Sequence, residues 1–275
     1  NFRSFINDVN SINKHGTPAI SIACQYGNVE IVRFLSNLHF NHDITKPFLV
    51  DLSVTDEQEA PPLLRAAMFG QLPVVRYLAS RSTSENIGDV DINGGDERET
   101  TALIFASMKG YLRMVDFLIK QKNVDLNAMD EYYGPSFVHA AMHGHLDVLQ
   151  LLATKEKNGL NMRGEYVSFA IIYAANRGYT EVIKYLLTKD DIDLNLTNIY
   201  SETVLTSAAT GKQLETLKFL VTLNGIDLNQ RGPNGNSALL SASVVGALDI
   251  VQFLCSLQGV DIHLKKKMLI TFLII

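Results

Sequence analysis

The chain repeats itself every 34 residues, and this spacing constrains its fold more than any other feature. A tripeptide of acid, aliphatic residue and Asn marks the period, with one Gly in the acid's place and one His in the place of Asn. Its members begin at Asp91, Asp125, Gly159, Asp193, Asp227 and Asp261. A fixed period of this length predicts stacked supersecondary units, because one unit cannot bury its own apolar face.

A second marker keeps the same phase. Two small residues, such as Ala140-Ala141, precede a Gly such as Gly144. The marker Gly recurs at Gly27, Gly70, Gly110, Gly144, Gly178 and Gly246, and Lys212 takes its place in the remaining repeat. The small pair predicts a first helix that its neighbours approach closely. The Gly predicts a turn with positive φ before a second helix.

The second helix is predicted from an apolar stripe. Val182, Ile183, Tyr185 and Leu186 illustrate its spacing of i, i+1, i+3 and i+4, which is typical of a helix with one core-facing side. An acid in the first turn of several units suits a helix N-terminus. The third stripe position is aromatic in most units, and we expect that column in the core. Its members are Phe34, Tyr77, Phe117, Tyr185, Phe219 and Phe253.

This arrangement resembles the ankyrin repeat. Leu146–Leu152 is close to the opening of that family's second helix, and Thr101-Ala102-Leu103 keeps part of its Thr-Pro-Leu-His opening. The resemblance implies an all-α repeat solenoid of stacked helix-turn-helix repeats with short β-hairpin-like fingers. We expect a single solenoid over 1–275, with seven full repeats and partial repeats at both ends, as in a fragment of a longer chain.

The family's His is missing throughout. Its position is taken by Ser21, Leu64, Ile104, Val138, Ile172, Thr206 and Leu240. We therefore expect the hydrogen bonds of that His to be absent and the solenoid to be less stable than an idealised one.

Two early steps of the repeat are longer than 34 residues. The extra residues fall at 37–48 and 80–88, between a second helix and the next finger. One interpretation is a tolerated surface insertion. The other is a secondary binding loop presented by the scaffold.

Charge and cysteine content restrict the classes of partner and the cellular compartment that the sequence predicts. The net charge is -5 and the one basic run is Lys265–Lys267, so no nucleic-acid partner is predicted. Two cysteines far apart and the lack of a signal peptide favour the cytoplasm, with the nucleus as the second choice. The apolar residues 268–275 are too few to span a membrane, so no membrane partner is expected. We expect a monomer.

No catalytic chemistry is predicted. The histidines His139, His143 and His145 follow the pattern His-x-x-x-His-x-His, and two of them share a helical face. Zinc is one interpretation, but structural or solvated histidines are favoured. No cofactor, metal site or enzyme activity is predicted.

The predicted partner-binding site is a column of side chains at the tips of successive fingers. In ankyrin-like proteins such positions contact partners. A Tyr side chain offers a large contact area and has few rotatable bonds that lose freedom on binding. The predicted partner-binding residues are Arg98, Tyr132, Tyr133, Tyr166, Tyr200 and Glu202 on the fingers, with Phe69, Lys109, His143 and Arg177 at first-helix ends.

The function expected from this column is a scaffold or adaptor that binds a protein through the concave surface of fingers and first helices. Two alternatives stay open: a regulatory ankyrin domain of a larger enzyme or ion channel, and a repeat array without a specific partner. A further alternative for the tyrosines is that they stack on one another and stiffen adjacent fingers.

Overall fold

The computed structural model describes residues 12–14, 16–37, 39–40, 48–49, 52, 55–56, 59–82, 90–155, 161–162, 164–189 and 192–262. Contacts divide the chain into two compact units. Unit 1 comprises 1–136 with 150–160, and unit 2 comprises 137–149 with 161–275. Within the described residues, no helix is both long enough and apolar enough to cross a membrane.

Unit 1 is built from helix pairs. Its helices are α1 (Ala19–Gln25), α2 (Val29–Ser36), α3 (Pro62–Met68), α4 (Leu72–Ala79), α5 (Ala102–Met108) and α6 (Leu112–Leu118). The first helices α1, α3 and α5 pack in series, and the second helices α2, α4 and α6 do the same. Two short antiparallel strands, β1 (His39–Phe40) and β2 (Phe48–Leu49), lie in the first insertion.

The next pair is α7 (Ser136–Met142) and α8 (Leu146–Ala153), and the division between the units falls within both helices. Unit 2 continues with the same pattern. Its further helices are α9 (Glu165–Arg177), α10 (Thr180–Leu186), α11 (Val204–Thr210), α12 (Leu214–Leu220), α13 (Ala238–Val244) and α14 (Leu248–Ser256). The first helices α9, α11 and α13 pack in series. This is the predicted all-α repeat solenoid of helix-turn-helix units.

The turn between the two helices needs positive φ, as its Gly predicts. Gly144 has φ 77° and Gly178 has φ 77°. Lys212, the substitute for Gly, is held at φ 58°. The preceding Gly211 has no room for a side chain, because a Cβ there would lie 1.8 Å from the carbonyl oxygen of Asn176. The small residues of this repeat therefore serve helix contact as well as the turn.

The small pairs and the aliphatic stripe form the core. Ala66, Ala67, Ala174 and Ala175 are fully buried on first helices. The second helix α10 buries its aliphatic stripe residues Val182, Ile183 and Leu186 in the same way, whereas Ile31 of α2 is 50% exposed. Burial of this stripe removes apolar area from water and supplies the main stabilising term.

The aromatic column is not the buried core that the spacing predicted. Phe34 is 65% exposed, and Phe117 and Phe219 are half-buried. Cations cover several of the rings: the Arg76 guanidinium lies 4.6 Å from the centroid of Phe117. The Lys184 ammonium lies 5.6 Å from the centroid of Phe219. These positions lie at the edge of the stripe, where a ring stacks under a basic side chain instead of entering the core.

Several sequence predictions fall outside the described residues. They include most of the insertions 37–48 and 80–88, the basic run Lys265–Lys267 and the partial repeats at 1–7 and 271–275.

Candidate functional site

The finger before α7 is a tight hairpin organised by one carboxylate. Met129 and Pro135 form an antiparallel bridge. The Asp130 carboxylate accepts N–H bonds from Tyr132 at 3.3 Å, Tyr133 at 2.8 Å and Gly134 at 2.9 Å. This Asx turn holds the finger tip together with a backbone bond from the Asp130 N–H to the Gly134 carbonyl at 3.3 Å. It leaves Tyr132 45% exposed.

Three predicted residues meet at this finger in unit 1. The Arg98 guanidinium lies 5.4 Å from the centroid of the Tyr132 ring, and the rings of Tyr132 and Tyr133 are 6.2 Å apart. The Glu131 N–H donates to the Arg98 carbonyl at 3.1 Å, which joins the two neighbouring fingers. Asp96 holds the Arg98 finger in the same way as Asp130, because its carboxylate accepts the Arg98 N–H at 3.0 Å.

Phe69 and Lys109 follow the C-termini of α3 and α5. Phe69 is 45% exposed, and the guanidinium of Arg65 lies 5.1 Å from its ring centroid. Arg65 is itself held by a 3.0 Å salt bridge to the buried carboxylate of Asp56. Lys109 is exposed and its ammonium lies 5.4 Å from the Phe105 centroid. Unit 1 therefore presents aromatic and basic side chains together.

Tyr200 lies on a comparable turn in unit 2. The Asn198 amide oxygen accepts N–H bonds from Tyr200 at 3.0 Å and from Glu202 at 2.9 Å. The Asn198 amide nitrogen donates to the Glu202 carboxylate at 2.9 Å. Asn198 is buried, whereas Tyr200 is 52% exposed. One buried amide thus positions both predicted residues of this finger.

Tyr166 does not lie on a finger. It is the second residue of α9, a helix of 13 residues that begins at Glu165. Gly164 stands where the other fingers have Asp130 or Asn198, so this repeat lacks the side chain that makes the turn. Tyr166 is half-buried and its ring contacts Phe169 edge-on at 6.0 Å. The placement predicted for Tyr166 was wrong, because the finger at this repeat is replaced by helix.

His143 and Arg177 occupy the same position after the small pairs of α7 and α9. The Nδ1 atom of His143 donates to the His139 carbonyl oxygen at 3.0 Å. Burial lowers the pKa of the His143 imidazole, and the charge of Arg177 lowers it further. The rings of His143 and His145 stack at 6.4 Å. Among the described residues no group of three acids, histidines or cysteines is placed to hold a metal.

Cys24 occupies one of the small-residue positions and is fully buried. Burial raises the pKa of its thiol to about 12. A protonated thiol without access to solvent is not a nucleophile, so Cys24 is a packing residue.

Comparison with known proteins shows which family the repeats belong to. The family model described as ankyrin repeats (3 copies) matches residues 2–89, 38–130, 85–163, 137–232 and 171–266. The chain belongs to the ankyrin-repeat family. The crystal structure of the human ASB11 ankyrin repeat domain is similar with a TM-score of 0.63 and 19% identity, over 86% of this chain and 98% of that one. No curated protein matches the sequence.

Within these ankyrin repeats, the residues that sequence reasoning missed are the ones that position the site. Asp96, Asp130 and Asn198 make the finger turns, and Asp56 holds the Arg65 guanidinium beside Phe69. A signal was available: an Asp or Asn stands two residues before Arg98, Tyr132 and Tyr200 at steps of 34 or 68. The tripeptide acids bond local backbone as well, because the Asp125 carboxylate accepts the Asn127 N–H at 2.8 Å.

Proposed function

We propose that this ankyrin-repeat chain is a protein-binding scaffold or adaptor, and that its partner contacts the finger and first-helix side chains. Ankyrin repeats are in general protein–protein interaction modules. The observation that carries the proposal is the exposure of Tyr132 and Tyr200, at 45% and 52%, on turns fixed by Asp130 and Asn198. An exposed aromatic ring on a turn held by side-chain hydrogen bonds offers apolar area that a partner buries with little loss of conformational freedom.

The chemistry around these tyrosines suits a protein surface. Aromatic residues and Arg are enriched at interface centres, and both cluster here as Arg98 and Tyr132. Each Tyr still exposes on the order of 100 Å², so its burial contributes roughly 2.5 kcal/mol at ~25 cal/mol per Å². Association itself costs more than two such contacts. Phe69, Lys109, His143, Arg177 and the neighbouring polar groups are therefore part of the proposed surface.

We further propose that the protein works as a monomer in the cytoplasm or nucleus. Both Cys24 and Cys255 are free thiols, which suits a reducing compartment. The repeats act in this proposal as one binding module without catalytic activity.

A quantitative affinity capture tests the proposal. The chain is compared with a variant carrying Tyr132→Ser, Tyr166→Ser and Tyr200→Ser, both immobilised at equal amounts. We expect a partner that the parent chain enriches and the variant retains at least tenfold less, because two exposed rings and the half-buried ring of Tyr166 are removed. Circular dichroism checks that both chains have the same helicity and unfolding midpoint.

A matched control removes apolar side chains of similar exposure from second helices. Phe34 is 65% exposed and Leu248 is 67% exposed, so Phe34→Ser with Leu248→Ser removes comparable area elsewhere. We expect this control to retain the partner. Equal retention by the tyrosine variant and the parent, or loss only in the control, is the result that rejects the finger and first-helix surface.

A further inference from the structure

A cavity of about 230 Å³ lies in unit 2 beside the Tyr200 finger. Finger residues Glu202, Pro233 and Asn234 line one part of it, and first-helix residues of α11 and α13 line the other. The cavity therefore lies between two consecutive repeats, on the side of the chain that the proposed function assigns to the partner.

Glu202 supplies the one carboxylate among the residues that line this cavity. One of its oxygens accepts the Asn198 amide N–H at 2.9 Å, and its backbone N–H donates to the same Asn198 side chain. These two bonds fix the carboxylate. The other oxygen has no hydrogen bond or ion pair to any described residue, so it is available to a donor that enters the cavity.

Ser241 is a second group without a partner. It lies on α13, is only 4% exposed and lines the cavity. Its hydroxyl makes no hydrogen bond to the described part of the chain. The nearby Ser243 behaves differently, because its hydroxyl donates to the Leu239 carbonyl at 2.8 Å. A hydroxyl at the cavity wall offers both a donor and an acceptor to a polar group that enters the cavity.

Val244 and Pro233 give the cavity an apolar side. Val244 is 73% exposed although it belongs to a first helix. Long basic side chains lay their methylene stems along apolar surface and keep the charged end at a polar group. An apolar wall next to a fixed carboxylate is suited to such a side chain.

The carboxylate belongs to this one repeat. At steps of 34 residues, the Glu202 position is occupied by Thr100, Gly134, Ser168 and Asn236. The cavity therefore has a carboxylate at a finger position where these four repeats have none. The net charge of -5 favours a basic partner as well.

We propose that this cavity receives a basic side chain, arginine or lysine, from the partner protein. The Glu202 carboxylate accepts the charged N–H groups, the Ser241 hydroxyl accepts one more, and Val244 covers the stem. The proposal rests on the proposed function, since it places one partner residue within the same surface.

A peptide titration tests the cavity without the natural partner. The ¹⁵N-labelled chain is titrated with acetyl-Ala-Arg-Ala-amide, its Lys counterpart and the neutral Gln counterpart, in low salt. We expect saturable shifts of the Glu202 and Ser241 amides with the Arg or Lys peptide, at a Kd on the order of 1–10 mM. We expect at least fivefold weaker effects with the Gln peptide, and weaker binding at higher salt because the contact is ionic.

Two variants and one control test which side chains bind the peptide. Glu202→Gln keeps the shape and the Asn198 contact, and we expect it to weaken the Arg peptide at least fivefold. Ser241→Ala suits a helix and is expected to weaken the peptide by about threefold. Glu30→Gln removes the same charge from an exposed acid on α2 and is expected to change nothing. Equal shifts with the Arg and Gln peptides, or binding unaffected by Glu202→Gln, overturn the proposal.

The outcomes separate the two proposals. If affinity capture depends on the tyrosines but no basic peptide binds, the cavity is rejected and the scaffold function stands. If the peptide binds through Glu202 but affinity capture is unchanged by the tyrosine substitutions, the cavity is supported and the wider surface is rejected.

Discussion

Gly144 shows at the scale of one residue why the repeat needs its glycine. The residue has φ 77°, and a Cβ there would lie 2.7 Å from the ring of Tyr179. Gly246 has φ 68° but open space around the same point. The two positions therefore share a positive φ that would strain a residue with a side chain, and they differ in crowding.

Gly144→Ala should consequently be the more damaging of the two substitutions. We expect it to lower the free energy of unfolding by about 1–3 kcal/mol more than Gly246→Ala, which incurs only the strain of positive φ. Urea denaturation of both variants measures the difference. Equal losses would show that the Tyr179 ring moves aside freely.

His143 gives a pH-dependent contribution at the same scale. Burial, aided by the charge of Arg177, holds the pKa of His143 below its ordinary value of 6.5, against the opposing effect of the hydrogen bond to the His139 carbonyl. The unfolded chain then binds this proton more readily than the folded chain. The stability contribution is present above pH 6.5 and is lost as the pH falls through the lowered folded pKa.

His143→Gln should therefore reduce the loss of Tm between pH 7.5 and pH 5. Because the imidazole is only half-buried, we expect a change on the order of 1 °C. Thermal unfolding followed by circular dichroism measures it. A loss of Tm that is the same in the parent and in the variant would contradict a role for this group.

At the scale of the element, the start of α11 is stabilised by hydrogen bonds between two threonines. Thr203 accepts the Thr206 N–H at 3.1 Å, and Thr206 accepts the Thr203 N–H at 2.8 Å. The two threonines form a capping box. Thr206, at one of the positions that lack the family's His, thus forms hydrogen bonds of its own. The N-cap residues Pro18 and Pro61 of α1 and α3 make no such bond.

Thr203→Val should remove this cap while keeping the side-chain shape. We expect α11 and the repeat around it to lose about 1 kcal/mol of stability. Thr222→Val, at an exposed hydroxyl after α12, serves as control and should stay within ~0.5 kcal/mol of the parent. Equal free energies of unfolding for the two variants, measured by chemical denaturation, would contradict a stabilising role of the capping box.

The helix α9 marks where prediction from the sequence failed at this scale. The repeat spacing placed Tyr166 on a finger, yet the chain forms one long helix there. The reason is local: Gly164 cannot make the side-chain bonds that Asp130 and Asn198 make. Glu165 then suits a helix N-terminus. Attention to the missing Asp or Asn would have predicted the difference.

At the scale of the whole molecule, the repeat phase predicted the fold class and the positive φ of the turn glycines. These features follow from short stretches of sequence, so the spacing is sufficient to find them. The half-buried aromatic column and the Asp56–Arg65 pair beside Phe69 depend on contacts between repeats. Such contacts join residues far apart in sequence, and a pattern within one repeat cannot predict them.

The central claim is that the partner contacts the finger side chains. The most direct measurement places the photo-cross-linking residue p-benzoylphenylalanine at Tyr132, at Tyr200 or, as control, at the exposed Glu215 of α12. Each chain is loaded with the captured partner and irradiated. We expect a covalent partner adduct from the Tyr132 and Tyr200 positions and none from Glu215. An adduct from Glu215 alone would contradict the claim and move the interface to the second helices.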